Sequence, residues 1–434
     1  MLTTRLAWLL VASLQCVSAS ADTPLGAGSP PSADPSPSTL TSAPVQRRLT
    51  LDQLITQAIQ NHPSIAVARA ELGAAKSEVG AARNQFLPTP SVQLLQDNGA
   101  TTTVLTVQQP LWAGGRLDAG LEAARSREGA AELFVADTKY TLALRVTAAW
   151  AAWAQARGRV AALNEGADLL GVYAQSVARR IAGDAAGRVD GELVKSRLTQ
   201  TQGDLAAARS AERSALTRLS QMVGQPLRTE DMVDIAAVPN AEAPLPAPDA
   251  LTAQALAHSA ALKRIEAEVD ALQHDTDVKR AALWPTLALR AQHQQGDSTT
   301  TGLTANDSRV ILALEYTPGA GLSAGNHIET ARARQMAKQE SLEAARRELA
   351  EKVAADYEEH LSSVERRRQI LSTIEASAEV LSSYDRLFVA GKRSWLDVIN
   401  AARELIQART ALADIEAQRL AARARLRLHT GEAF

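Results

Sequence analysis

Cysteine is almost absent from this chain. Cys16 is the only one among 434 residues. It falls within residues 1–21, where Arg5, a short apolar run and an Ala-Ser-Ala sequence at 19–21 form the pattern of a secretory signal peptide. The apolar run is too short to span a bilayer. The mature chain would carry no thiol, which suits an oxidising compartment and excludes disulfides and thiolate chemistry.

Aromatic residues are also scarce, and proline is missing from two long stretches of the chain. Aromatics make up 3% of the chain although apolar residues make up 46%, so the apolar content is largely Ala, Leu and Val. Proline is missing from 111–225 and from 319–434. Because proline inside a helix costs about 3 kcal/mol, both stretches predict long helices. Each breaks once, around 183–191 and 391–395, after a piece of about 65 residues, or roughly 100 Å.

The chain also lacks an excess of positive or negative charge, and it lacks a recognisable catalytic site. The net charge is −2, with acidic and basic residues interspersed, which gives no nucleic-acid surface. The seven histidines show no zinc-type spacing, and no Ser/His/Asp or paired-carboxylate site can be argued. We therefore expect no enzyme, no cofactor and no metal site. A secreted enzyme, as an alternative, lacks a site.

The chain does contain an internal duplication. The sequence FLP at 86–88 recurs as LWP at 283–285, 197 positions later, whereas Asp190 recurs as Asp397 at an offset of 207. The ten-residue increase falls within 285–316. A tandem duplication with one enlarged loop predicts a repeat architecture.

The duplication divides the chain after the predicted signal peptide. Residues 22–48, rich in Pro, Ser and Ala, are predicted to be a disordered leader. Two repeats follow, over 49–225 and 250–434, and a proline-rich linker at 226–249 joins them. Each repeat should contain a helix, a β-hairpin and then long helices.

The hairpins are predicted at 88–111 and 285–316, beginning at Pro88 and Pro285. Strands of about ten residues with one apolar face match tilted membrane-spanning strands in length. Two ordinary hairpins packed on helices would give the same pattern. Four strands cannot close a barrel and open edges are not tolerated in lipid, so in a membrane several copies must share one barrel.

The hairpins end in glycine-rich segments. Gly319, Gly321 and Gly325 have the spacing G-x-G-x-x-x-G, which is not that of a dinucleotide site. Two related strand-to-helix turns explain the glycines better; the turn positions are Gly114, Gly115, Gly319 and Gly321. Three aromatics at strand ends fit either a membrane interface or a buried position; they are Trp112, Trp284 and Tyr316.

The FLP and LWP strand entries and four longer segments carry a family resemblance. The four are LDQLITQAIQNHPSI at 51–65, QPLWAGGRLDAGLEAAR at 109–125, GKRSWLDVINAARELIQAR at 391–409 and RLRLHTG at 425–431. In this order and spacing the chain resembles the TolC family of outer-membrane efflux proteins. The resemblance implies a trimeric channel-tunnel in the bacterial outer membrane. Three chains with four strands per protomer would build a membrane β-barrel, and their long helices an α-helical coiled-coil barrel in the periplasm.

The resemblance also implies partners. The homotrimer would be a passive duct in outer-membrane lipid, joined by a periplasmic adaptor to an inner-membrane ABC exporter or proton-driven pump. The turn segments are most similar to the type I secretion branch, which exports large adhesins, but multidrug and metal efflux use the same scaffold. A soluble periplasmic coiled-coil scaffold or adaptor is the alternative from another class.

Five residues at the two helix breaks match gate positions of the family. An arginine of the second break pairs with an aspartate of the first in the family, and Arg393 and Asp190 match them. Phe388 occupies the position of a latch tyrosine. Of two acidic positions at the tightest constriction, one is matched by Asp397 and the other by Asn400, which is not acidic. Asp397 also completes an S-x-x-D capping box with Ser394, and capping is compatible with lining a constriction.

Overall fold

The computed structural model describes residues 48–97, 100–233, 244–296, 307–317 and 319–432. The predicted signal peptide, nearly all of the predicted leader, part of the linker and both hairpin tips lie outside these residues. Within the described ranges the chain forms eight α-helices and four β-strands. In chain order these are α1 (Leu51–Asn61), α2 (Pro63–Asn84), β1 (Thr89–Asp97), β2 (Ala100–Trp112), α3 (Arg116–Ala182), α4 (Arg188–Val223), α5 (Pro248–His258), α6 (Ala260–Ala281), β3 (Thr286–Gln295), β4 (Asp307–Glu315), α7 (Ala324–Val389) and α8 (Trp395–Thr430).

The two halves repeat element by element. Helices α1 and α2 recur as α5 and α6 with both ends shifted by 197 residues, and α4 recurs as α8 with both ends shifted by 207. Strands β1 and β3 begin 197 residues apart, whereas β2 and β4 begin 207 apart. The predicted tandem repeat is therefore confirmed, and the extra ten residues lie between β3 and β4.

Local sequence explains where several helices begin and end. Thr50 caps α1 through a capping box with Gln53, and Pro63 stands at the start of α2, where its missing N–H leaves no helical bond unmade. Gly224 and Gly431 end α4 and α8 at φ of +80° and +78°. Glycine enters this left-handed region without a Cβ clash, so these equivalent positions stop equivalent helices.

The long helices α3 and α7 contain 67 and 66 residues, as the proline-free stretches predict. Helix α3 packs on α4, α6 and α8, while α7 packs on α5, α6 and α8. Small residues allow close approach: a Cβ on Gly158 of α3 would lie 2.6 Å from the Cβ of Ala413 in α8. The low aromatic content thus accompanies tight helix packing. No helix within the described ranges is long and apolar enough to cross a membrane.

The strands form one antiparallel sheet in the order β1-β2-β3-β4. The hairpins join directly through β2 and β3, with Val107 opposite Ala291. They therefore share one hydrogen-bonded ladder instead of standing as two separate hairpins on the helices. Strands β1 and β4 are the two edges of this sheet.

One face of the sheet is apolar and exposed. The strand register brings the alternating apolar residues of all four strands to the same side; they are Val92, Leu94, Leu105, Val107, Leu289, Val310, Leu312 and Leu314. Leu94 is 73% exposed and Leu314 is 69% exposed. This face is therefore open and unpartnered in the single chain.

The other face carries polar side chains. Arg290 Nη2 donates to Gln108 Oε1 at 3.1 Å across β3 and β2, and Arg309 Nε donates to Gln292 Oε1 at 3.1 Å across β4 and β3. The predicted alternation along the strands thus becomes one amphipathic sheet, with an apolar face and a face that carries charged and amide side chains.

Candidate functional site

The two helix breaks occupy residues 183–187, between α3 and α4, and residues 390–394, between α7 and α8. Both lie where the glycines predict them. Asp184 is the one described non-glycine residue with a positive φ, of 52°, and Gly391 turns the second break at φ +71°. Asp190 and Asp397 each lie in the first turn of the following helix.

Asp397 takes part in a complete capping box. Its backbone N–H donates to Ser394 Oγ at 3.3 Å, and its carboxylate accepts from the Ser394 hydroxyl at 2.8 Å and from the Ser394 backbone N–H at 3.2 Å. These bonds from Ser394, and to a smaller extent the charge of Arg393, hold the pKa of the Asp397 carboxyl below its ordinary value. The predicted capping role therefore has the geometry it requires.

Asp190 has a different environment at the equivalent position. The residue that caps its helix is Gly187, which has no side chain to exchange hydrogen bonds with it. Among the residues that the structure describes, the Asp190 carboxylate makes no ion pair. Its charge is therefore available to a cation from outside its own helix turn.

Arg393 lies between an aromatic ring and a carboxylate. Its Cζ is 4.7 Å from the ring centroid of Tyr384, and its Nη1 is 3.8 Å from Asp397 Oδ2. In the single chain the carboxylate that Arg393 contacts is thus Asp397. The pairing of Arg393 with Asp190 stays a prediction. Asn400 is half-buried one turn along α8.

An aromatic cluster, which sequence reasoning missed, ties the second break to α3. The Trp395 ring lies 4.6 Å from that of Phe388 and 5.3 Å, edge to face, from that of Tyr173. Arg180 of α3 places its Cζ 4.3 Å from the Phe388 ring centroid. Phe388 therefore contacts both the Trp395 ring and the Arg180 guanidinium through its ring alone. The available signal was the tryptophan inside Ser394-x-x-Asp397.

A second missed feature is a buried polar network that joins α3, α7 and α8. His429 Nε2 lies 2.9 Å from Asp356 Oδ2, and His429 Nδ1 lies 2.6 Å from the Tyr140 hydroxyl oxygen. Arg425 bridges Asp356 at 2.7 Å and Glu359 at 2.6 Å. Burial, with the nearby Asp356 charge, raises the pKa of Tyr140. Every member has a partner, so the network fixes the three helices together.

The strand-to-helix turns have the conformation that only glycine adopts easily. Gly114 and Gly115 have φ of +59° and +82°, and Gly319 and Gly321 have φ of +86° and +59°. A Cβ on Gly114 would lie 2.6 Å from the Cβ of Trp284, at the start of the other hairpin. The positive φ of all four glycines, together with the close contact at Gly114, gives them a structural role.

The strand-end aromatics are exposed. Trp284 is 61% exposed and Tyr316 is 57% exposed, and Trp112 contacts Trp284 edge to face at 6.4 Å. Exposure favours the interfacial prediction over the buried one. Pro88 and Pro285 each stand immediately before a strand, as expected. Across the described ranges, no three His, Cys, Asp or Glu side chains gather as they would around a metal ion.

Comparison with known proteins identifies one family. The profile of the family described as outer membrane efflux protein matches residues 54–225 and 251–432. The cobalt-zinc-cadmium resistance protein CzcC of Cupriavidus metallidurans is 25% identical over 367 residues, which cover 83% of this chain and 85% of that protein.

Solved structures share the fold. The outer membrane protein VceC of Vibrio cholerae superposes with a TM-score of 0.73 at 16% identity, covering 88% of this chain and 96% of that one. The MtrE outer membrane channel of Neisseria gonorrhoeae, solved in an open state, gives a TM-score of 0.74 at 17% identity, covering 89% of each chain.

Proposed function

Because this chain belongs to the outer membrane efflux protein family, we propose that it is the outer-membrane exit duct of a three-part export system. The duct is passive: a periplasmic adaptor joins it to an inner-membrane transporter, which supplies the energy. The observation that carries the proposal is the amphipathic sheet, whose apolar face is exposed and whose two edges are open. Water gives such a face no partner, whereas lipid does.

The duct is a homotrimer. A sheet with open edges is not stable in lipid, where unpaired backbone groups cost several kcal/mol each. Three copies would place β4 of each chain beside β1 of the next and close twelve strands into one barrel. The polar faces, with Arg290 and Gln108, would then line the lumen. The long helices would continue the duct through the periplasm.

The helix breaks form the periplasmic gate. Arg393 and Asp190 pair across the closed end, while Asp397 and Asn400 line the constriction, with Phe388 beside them. Three Asp397 carboxylates around a narrow axis would attract cations. Two observations support this gate. The helix that carries Asp190 has no side-chain cap to bond its carboxylate, and the guanidinium of Arg393 is exposed next to Asp397.

The exported material is a large protein of type I secretion, and the transporter is an ABC exporter. The support is the similarity of the turn segments at 109–120 and 316–334 to that branch of the family. A second candidate is metal-ion efflux driven by a proton-driven pump. It is favoured by the similarity to CzcC, a protein named for resistance to cobalt, zinc and cadmium.

Fractionation and bilayer recording test the duct. We expect the protein in the outer-membrane fraction as heat-modifiable trimers, and the purified trimers should conduct ions in planar bilayers. Protein found only in the soluble periplasmic fraction, without conductance, would contradict the proposed duct and favour the soluble scaffold.

A deletion strain separates the two substrates. Loss of one large protein from the cell surface, with unchanged growth on cobalt, zinc and cadmium salts, is the result expected for type I secretion. Metal sensitivity with a normal surface proteome would instead favour metal-ion efflux. Complementation with the intact chain is the control in both arms.

A further inference from the structure

The junctions between the helices and the sheet carry exposed apolar side chains. Helix α2 passes into β1 through residues 86–88, and α6 passes into β3 through residues 283–285. The Trp112 ring, at the end of β2, contacts the Trp284 ring edge to face. We call the exposed apolar residues of these junctions the rim; they are Leu87, Leu111, Trp112, Leu283, Trp284 and Tyr316.

Two arginines lie one helical turn from the rim. Arg83 and Arg280 occupy equivalent positions in the last turns of α2 and α6, each four residues before a rim residue. The backbone keeps turning up to the rim, since Leu87 N–H donates to the Asn84 carbonyl at 3.0 Å and Trp284 N–H donates to that of Ala281 at 3.1 Å. Four residues of helix span about 6 Å.

Two more cations reach the same level. Lys279 precedes Arg280, and Arg116 begins α3 two residues after Gly114. A Cβ on Gly114 would lie 3.3 Å from the carbonyl oxygen of Ala281, so the start of α3 packs on the end of α6. We call the four exposed cations the basic collar; they are Arg83, Arg116, Lys279 and Arg280.

The basic collar is only partly neutralised. Arg280 pairs with Asp277, with Nη1 2.7 Å from Oδ1, while the other three members make no ion pair within the described residues. Asp118 is the one further carboxylate in segments 79–87, 112–120 and 276–285. Glu315, at the end of β4, approaches Arg290 on the polar face. Four cations and two carboxylates leave this level positive, in a chain whose net charge is −2.

We propose that the rim and the basic collar bind anionic phospholipids in the leaflet nearer the long helices. The collar takes the headgroup phosphate, because guanidinium and ammonium groups donate strong hydrogen bonds to phosphate oxygens. The rim contacts the upper acyl chains. The inference rests on the duct proposed above, which places the sheet in a bilayer, and adds to it a lipid class and the residues that select it.

The spacing fits a phospholipid. A hydrocarbon core of about 30 Å within a bilayer of about 40–45 Å leaves roughly 5–8 Å of headgroup region on each side. With tryptophans at the hydrocarbon boundary, a collar about 6 Å beyond them lies at the level of the phosphates.

The opposite end of the apolar face has another chemistry. Its side chains there include Thr103, His293 and Ser308, and His293 Nδ1 lies 2.7 Å from Ser308 Oγ. On that end of the apolar face the described strand residues include no lysine or arginine. The cationic site therefore belongs to one leaflet only.

Lipid binding to the assembled full-length protein tests the proposal. Delipidated trimers in detergent receive phosphatidylglycerol or phosphatidylcholine, and native mass spectrometry counts the lipids retained. Phosphatidylglycerol should bind more tightly and raise the temperature of trimer dissociation further. The triple variant Arg83→Gln, Arg116→Gln, Lys279→Gln should bind it more weakly, by about fivefold for each cation removed. Its binding of phosphatidylcholine should not change.

Two controls separate the site from general charge effects. Lys76→Gln changes an exposed cation of α2 about 10 Å farther from the rim than Arg83, and it should keep the preference of the parent. Arg83→Lys combined with Arg116→Lys keeps the charge and should keep most of the binding. In the unchanged protein, rising salt should weaken binding of phosphatidylglycerol alone, a measurement that needs no variant.

The outcomes also separate this inference from the duct. Equal binding of the two lipids, or an unchanged preference in the triple variant, would overturn the phospholipid site, and conducting trimers would leave the duct standing. Equal protection by inorganic phosphate would indicate a site for free anions and would overturn the lipid assignment. A phosphatidylglycerol preference that the triple variant loses, in a protein that never conducts, would support the site and reject the duct.

Discussion

At the residue scale, two equivalent aspartates have acquired different partners. Asp397 is bonded by Ser394 and approached by Arg393, whereas Asp190 follows Gly187 and has no such partner in its own turn. A duplicated position thus became a cap in one repeat and a free carboxylate in the other. One serine against one glycine accounts for the difference.

Arg393→Ala should raise the conductance of the trimer. The change removes the guanidinium that the gate proposal pairs with Asp190, along with its contact on Tyr384, so the closed end loses a charged contact. Single-channel recording in planar bilayers measures the effect, and Lys392→Ala at the neighbouring exposed position is the control. Equal conductance of the Arg393 variant and the parent would reject the gate.

His360 should make the protein less stable in mild acid. It is buried, and burial first, with the charges of Arg423 and Arg419 adding to it, lowers the pKa of its imidazole despite a hydrogen bond to the Arg419 carbonyl. The unfolded chain therefore binds more protons below about pH 6.5, so stability falls as the pH drops through that value.

Thermal unfolding of the parent and of His360→Gln, at about pH 7.5 and about pH 5.5, measures this contribution on either side of the ordinary imidazole value. The drop in Tm on acidification should be smaller in the variant. His327→Gln, at an exposed site, should keep the full drop. Identical drops in all three proteins would contradict the role of His360.

At the element scale, successive residues of each strand alternate between the apolar face and the polar face of the sheet. Leu312 and Arg309 lie on the same strand but on opposite sides, because three positions separate them. The strand periodicity predicts this alternation, and the pairing of β2 with β3 extends it across both hairpins. A helix cap or a turn, by contrast, affects only a few neighbouring residues.

Leu312→Arg should destabilise the assembled protein in lipid far more than Gln292→Arg. The first change puts a charge on the apolar face, which costs about 2–4 kcal/mol near the middle of a bilayer, and the second adds one to the polar face. Urea unfolding in liposomes compares the two. Equal losses would show that the apolar face does not meet lipid.

At the scale of the whole molecule, a single chain leaves large apolar side chains of its sheet exposed. Its sheet has two open edges, and one face of that sheet is apolar and exposed. Folding of a protomer and joining of copies should then be one equilibrium.

The unfolding midpoint should therefore depend on protein concentration. For an obligate assembly, dilution favours the separated and unfolded chains by mass action. A tenfold dilution in detergent, taken to equilibrium in denaturant, should lower the midpoint measured by circular dichroism. A midpoint that stays constant over that range would indicate a stable monomer.

Much of the site escaped prediction for a physical reason. The breaks and the cap at Ser394 follow from local sequence, because glycine conformation and side-chain capping act within a few residues. The edge-to-face contact of Trp395 with Tyr173, by contrast, requires residues more than two hundred positions apart to meet. Sequence periodicity predicts which face of a helix such residues occupy. It does not predict which helix packs against that face.

The sequence by itself determined the repeat, the helix lengths, the alternation of the strands and the family, because each of these depends on residues close in the chain or on matching segments. Only the tertiary structure decided that the two hairpins share one ladder, that Trp395 contacts Tyr173, and that His429 and Asp356 bond in the core. Contacts across long separations depend on how whole helices and strands pack. The pattern of apolar residues along the sequence restricts that packing but does not determine which residues come into contact.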